Sequence, residues 1–121
     1  MNDLEQMWYL LDIVWDNFGC NNISLNWDQI GKFYSHPVWP LNGLFIENHR
    51  ASMDQRHAIS DWIVNSKFDN IVEFEGGFGT LVSLIAQKND LKIDVYELHP
   101  SAFGLKRLKE YNNISFIKNL N

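Results

Sequence analysis

The chain has 121 residues, 15 of them acidic against 10 Lys and Arg, for a net charge of −5. That length supports one core, and the acidic balance argues against phosphate-neutralising contact with nucleic acid. One cysteine, Cys20, excludes an internal disulfide, no apolar run approaches the ~20 residues that cross a bilayer, and the acidic Met1-Asn-Asp-Leu-Glu start is unlike a secretory leader.

A cytoplasmic protein with no membrane partner is the expectation. Cys20 has no His partner in a nucleophile motif and reads as a small apolar filler.

In chain order, the first predicted helix covers 3–18. Leu4, Met7, Trp8, Leu11, Val14, Trp15 and Phe18 recur at three- and four-residue steps and share one face. Tyr9, Leu10 and Ile13 widen the apolar arc, so this helix is expected to bury more than one side, with a second copy of the chain as the candidate partner surface. Gly19 is its expected C-terminal cap. A short second helix is predicted from Asn26 or Trp27 to Tyr34. The segment His36-Pro-Val-Trp-Pro40 is expected to stop it, because each proline disfavours helix in the residue before it. Leu41-Asn-Gly43 reads as a turn, and Leu44-Phe-Ile46 as a packed loop or small strand. A third helix is expected to start at Ser52, with Gln55 completing a capping box, and to end near Asn65.

From residue 70 the pattern becomes β-α-β-α-β. Asn70-Ile-Val-Glu73, extended by Phe74, reads as a buried parallel strand, and 80–87 as a helix with Leu81, Leu84 and Ile85 facing the sheet. Lys92-Ile-Asp-Val-Tyr-Glu97 is the second strand. Ser101 caps the next helix, with Phe103, Leu105 and Leu108 as its apolar positions. Ile114-Ser-Phe-Ile-Lys118 is the third strand. Lys106-Arg107-x-Lys109 reads as a solvated helix face. The chain thus divides into a helical cap region, 1–67, and an α/β region, 68–121, within one compact domain. The expected fold class is α/β, with a partial, Rossmann-like parallel sheet of about three strands.

The stretch with the most chemistry is Glu73-Phe-Glu-Gly-Gly-Phe-Gly79 between the first strand and its helix, with Glu97 at the tip of the second strand. Glycines let a ligand approach the backbone, and a helix N-terminus offers free N–H groups. A strand-terminal carboxylate accepts two hydrogen bonds from ribose hydroxyls. Both features are expected at the carboxyl edge of adjacent strands, where ligands bind open α/β sheets.

The segment from Asn70 to Leu120 resembles the N-terminal half of a class I S-adenosylmethionine-dependent methyltransferase. The family motif E-x-G-x-G-x-G lays Glu73, Glu75, Gly77 and Gly79 on its acidic and glycine positions, with Gly76 as an extra glycine and Glu75 where a glycine is expected. The resemblance implies that the loop wraps the methionine part of S-adenosylmethionine or S-adenosylhomocysteine. It implies that Glu97 holds the ribose and that the following His99-Pro100 loop covers the adenine. The implied cofactor-binding set is Glu73, Glu75, Gly76, Gly77, Phe78, Gly79, Glu97, Leu98 and His99. The strands that follow the third in this family are not found, so a truncated member, or a fragment of one, is expected. The expected acceptor is a small molecule.

Two alternatives stand beside that reading. An NAD-type dinucleotide domain needs a third glycine where this chain has Val82. A non-catalytic cofactor-binding or assembly module would use the apolar face of the first helix, and an open sheet edge, to form a homo-oligomer. His36, His49, His57 and His99 lack close ligand spacing, so no metal site is expected. His36, Trp39, His49 and Arg50 remain candidates for a lid or acceptor pocket over the glycine loop.

Overall fold

A computed structural model describes residues 2–74, 79–88, 90–97 and 101–119. Among them it is mixed α/β, with six helices and a three-stranded parallel sheet. The first helix, α1 (Asp3–Asn17), starts on a capping box. Asn2 Oδ1 accepts the Glu5 amide at 2.9 Å, and the Glu5 carboxylate accepts the Asn2 amide at 3.1 Å. It ends where Gly19 takes a left-handed φ of +71°. Leu4 and Met7 are buried, and Leu11, Val14, Trp15 and Phe18 are half-buried, as the spacing requires. Trp8, Tyr9, Leu10 and Ile13 are exposed. The wider arc therefore has no cover within the described chain, and Trp8 falls outside the face expected for it.

The next helix, α2 (Trp27–Ser35), is capped by Asn26, whose Oδ1 accepts the Gln29 amide at 3.2 Å. Met7, Cys20, Ile30, Phe33 and Val38 form the buried heart of the helical part. Phe33 meets Trp15 edge-on at 5.1 Å, and Trp39 meets Tyr34 at 4.9 Å. Burial raises the Cys20 thiol pKa, as expected of a filler.

Residues 38–47 are not a turn and a loop. They form a helix, α3 (Val38–Glu47), which follows Pro37 directly. The prolines do not break it, because the first amides of a helix have no intrahelical partner. Pro40 lies in that first turn, and the first i to i−4 bond comes from the Leu41 amide to the Pro37 carbonyl. The His36 ring also serves the helix start, since its Nδ1 accepts the Val38 amide at 3.0 Å.

A second correction concerns α4 (Arg50–Asn65). Its cap is His49, not Ser52. His49 Nδ1 accepts the Ser52 amide at 3.2 Å, so Ser52 lies inside the first turn as the served residue.

The sheet contains β1 (Asn70–Phe74), β2 (Lys92–Tyr96) and β3 (Ile114–Ile117), in the order β1-β2-β3 and all parallel. Its connections are α5 (Thr80–Lys88) and α6 (Ala102–Leu108). Ser101 Oγ accepts the Gly104 amide at 2.9 Å and caps α6. Alternation along the strands puts Ile71, Ile93, Val95 and Ile114 on one face. There they pack with Val82, Ile85 and Leu108 from the connecting helices, and with Ile63 and Val64 of α4. Burying each such aliphatic side chain contributes roughly 1.5–3 kcal/mol.

The opposite face is open among the described residues. Val72 and Phe74, expected to be buried, are 54% and 60% exposed. Phe74 stacks on Tyr96, its register partner, at 5.0 Å. Continuous apolar sequence suggests a strand covered on both sides, but here only one face carries helices. Lys88 joins α5 to α4 through an ion pair with Asp61 at 2.6 Å.

Candidate functional site

Glu73 lies opposite Val95 and Phe74 opposite Tyr96, so β1 and β2 end side by side. Because the strands are parallel, the loops to α5 and α6 leave from the same edge. Glu97 immediately follows β2 and is half-buried. Glu73 and Glu97 are thus brought to one sheet edge, and Gly79 stands directly before α5. Glu75, Gly76, Gly77, Phe78, Leu98 and His99 lie outside the described residues.

Glu73 shares the helix-covered face with Ile71, and burial pushes its carboxyl pKa up from the ordinary value. A group in this position holds its proton to higher pH than an exposed glutamate does. It gains most from a nearby cation, which would stabilise the ionised form.

Gly79 has φ +82°, a conformation that L side chains rarely adopt. A Cβ there would stand 3.1 Å from Leu108 Cδ1. Both the turn and the seating of α6 therefore require glycine at this position, whatever the loop binds. Beyond it, the Ser83 amide donates to the Gly79 carbonyl at 2.9 Å and opens the α5 ladder.

Sequence reasoning missed the polar group beside this turn. Thr80 Oγ1 donates to Glu47 Oε1 at 2.8 Å, and Arg107 Nη1 donates to the same oxygen. Glu47 ends α3, Thr80 begins α5 and Arg107 lies on α6. Their separations of 33 and 60 residues leave no local pattern to find. Arg107 corrects the expected solvated face. Its side chain is only 26% exposed and that of Glu47 21%, while Lys106 and Lys109 do face solvent.

The residues proposed for a lid do not gather. His36 caps α3 and meets Phe18 edge-on at 5.8 Å. Trp39 packs among Phe33 and Tyr34, His49 caps α4, and Arg50 faces solvent beside Asp54. His36 and His49 line two adjoining grooves that share Leu41 and Leu44. One, of about 390 Å³, lies between α1, α3 and the start of α6 and includes Leu10, Val14, Leu41, Leu44 and Phe103. The other, of about 630 Å³, lies along Leu4, Phe45 and Asn48. Among the described residues no group of three or more His, Cys, Asp or Glu could hold a metal ion, and no helix is long and apolar enough to cross a membrane.

Compared with protein-family models, curated proteins and solved structures, the chain matches none.

Proposed function

We propose that the carboxyl edge of β1 and β2 is a Rossmann-like half-site for S-adenosylmethionine or S-adenosylhomocysteine. On this reading the chain is a class I methyltransferase, or a fragment of one, acting on a small-molecule acceptor. The observation that carries it is that Glu73, near the end of β1, and Glu97, just past the end of β2, lie at the same edge of adjacent parallel strands.

Glu97 accepts the ribose hydroxyls, and Glu73 faces the ammonium of the methionine part. The chemistry of the donor set fits. A desolvated carboxyl, whose ionised form burial disfavours, gains from a neighbouring cation. Gly77 and Gly79 allow the loop to come close. When bound, the sulfonium supplies an activated methyl group; the residues of this chain hold donor and acceptor in line. The apolar groove beside the first turn of α6 suits a small acceptor with little charge. A cytoplasmic location belongs to the same reading.

Val82 weighs against the dinucleotide alternative. At the position of the third glycine it is only 1% exposed and fills the core, where close helix–strand packing would call for no side chain. The assembly alternative draws on a different observation, the exposed Val72 and Phe74 on the open sheet face and the exposed Trp8 and Tyr9 on α1.

Calorimetric titration of S-adenosylhomocysteine, with NAD and a Glu97→Ala variant as controls, tests the proposal. Saturable heat that the variant loses is the expected result. Tighter binding of NAD would favour the dinucleotide reading. No heat with either ligand would sink the cofactor site and leave assembly as the better account.

A further inference from the structure

We infer that Glu47 is a positioning residue for Gly79 and Thr80, latching the helical cap onto the start of α5. This rests on the cofactor reading, in which Gly79 belongs to the binding set. Gly79 and Thr80 lead into α5. There the Thr80 hydroxyl donates to Glu47 at 2.8 Å, and Ser83 closes the first turn of α5 through its amide to Gly79 and its Oγ to the Thr80 carbonyl at 2.9 Å.

Three features make Glu47 more than a surface contact. Its carboxylate stands at the positive end of α5, where a negative charge is favoured. Arg107 from α6 neutralises it, so the same oxygen joins three elements. Both partners are largely withdrawn from water, which strengthens a charge-assisted bond relative to an exposed one. Glu47 therefore ties together the two helices that follow the two proposed cofactor loops. It touches no cofactor itself; it acts through Thr80 and the adjoining Gly79.

The test is amide hydrogen exchange on the full chain, comparing wild type with Glu47→Gln, Thr80→Val and Thr80→Ser. The Ser83 amide reports opening at the start of α5. The Ile93 amide in β2, which donates to the Asn113 carbonyl just before β3, reports global opening. Loss of one such bond is expected to speed Ser83 exchange about fivefold relative to Ile93 in Glu47→Gln and Thr80→Val. Thr80→Ser keeps the hydroxyl and should match wild type. Equal acceleration of both amides, or none at either, would overturn the latch. The second arm is calorimetry with S-adenosylhomocysteine. A roughly fivefold weaker Kd in Glu47→Gln is expected, and unchanged affinity beside a binding wild type would overturn the positioning role. If wild type binds nothing, the cofactor reading fails by itself, while the exchange measurement still decides the latch.

Discussion

Replacing Gly79 by alanine separates two costs that the structure places at one atom. The first is conformational. At φ +82° an L-residue costs about 1–2 kcal/mol. The second is steric. The new Cβ would lie 3.1, 3.2 and 3.3 Å from Leu108 Cδ1, Cγ and Cδ2, all closer than ordinary contact. Leu108 is 3% exposed and packed among Val82, Ile85 and Val95, so relief requires the core to shift, at about 1–3 kcal/mol. Gly79→Ala should therefore lose about 3 kcal/mol in total. Gly19→Ala is the internal control. Its φ of +71° imposes a similar conformational cost, but no atom lies within 4 Å of the added Cβ, so about 1 kcal/mol is expected. Urea unfolding followed by circular dichroism measures both. Leu108→Ala should cost about 2–5 kcal/mol alone, and the double variant with Gly79→Ala should cost less than the sum by about 1–2 kcal/mol. Equal losses at Gly79 and Gly19, together with an additive double variant, would refute the steric argument.

Glu73→Gln should stabilise the protein at neutral pH. The folded carboxyl binds its proton more tightly than the unfolded one, so stability falls as pH rises from the ordinary value of 4.5 through the raised pKa. Denaturant midpoints should coincide near pH 4 and favour the variant at pH 7; a less stable variant at pH 7 would contradict the assigned burial. His49→Ala should cost about 1 kcal/mol in thermal or urea unfolding, while His49→Asn should retain most of the cap. Phe74→Ser should reduce self-association in sedimentation velocity if the open sheet face is the contact; an unchanged concentration dependence would move the contact elsewhere. The loss of the stack on Tyr96 should cost that variant only about 0.5–1.5 kcal/mol.

The elements whose signals are local were legible in the sequence. The period of α1, the Asn26 and Ser101 caps, and the three strands all fall where side-chain pattern and capping chemistry place them. α3 was not legible, because Pro37 and Pro40 punctuate it in sequence but occupy positions where no amide hydrogen bond is needed. Ser52 resembled a cap because Gln55 follows at the correct spacing, yet His49 lies three residues earlier and its ring nitrogen does the same work. The apolar run of β1 concealed its two faces: Ile71 packs against helices while Val72 meets solvent. At the candidate site, the shared edge for Glu73 and Glu97 followed from the β-α-β pattern. The Glu47–Thr80–Arg107 junction did not, since only tertiary packing brings α3, α5 and α6 together.

The division into two cores also orders the birth of the molecule. Every buried member of the helical core lies between Met7 and Val38, so the ribosome delivers that whole set before any residue of β1. Synthesis runs at about 5–20 residues per second, which is slow compared with helix formation. The helical region can therefore collapse while the sheet is still unsynthesised. β1 must then wait for β2, its parallel partner across a whole crossover, and its apolar Val72 and Phe74 emerge beside an already structured neighbour. During that interval the nascent strand has an unpaired edge and no partner for its ladder.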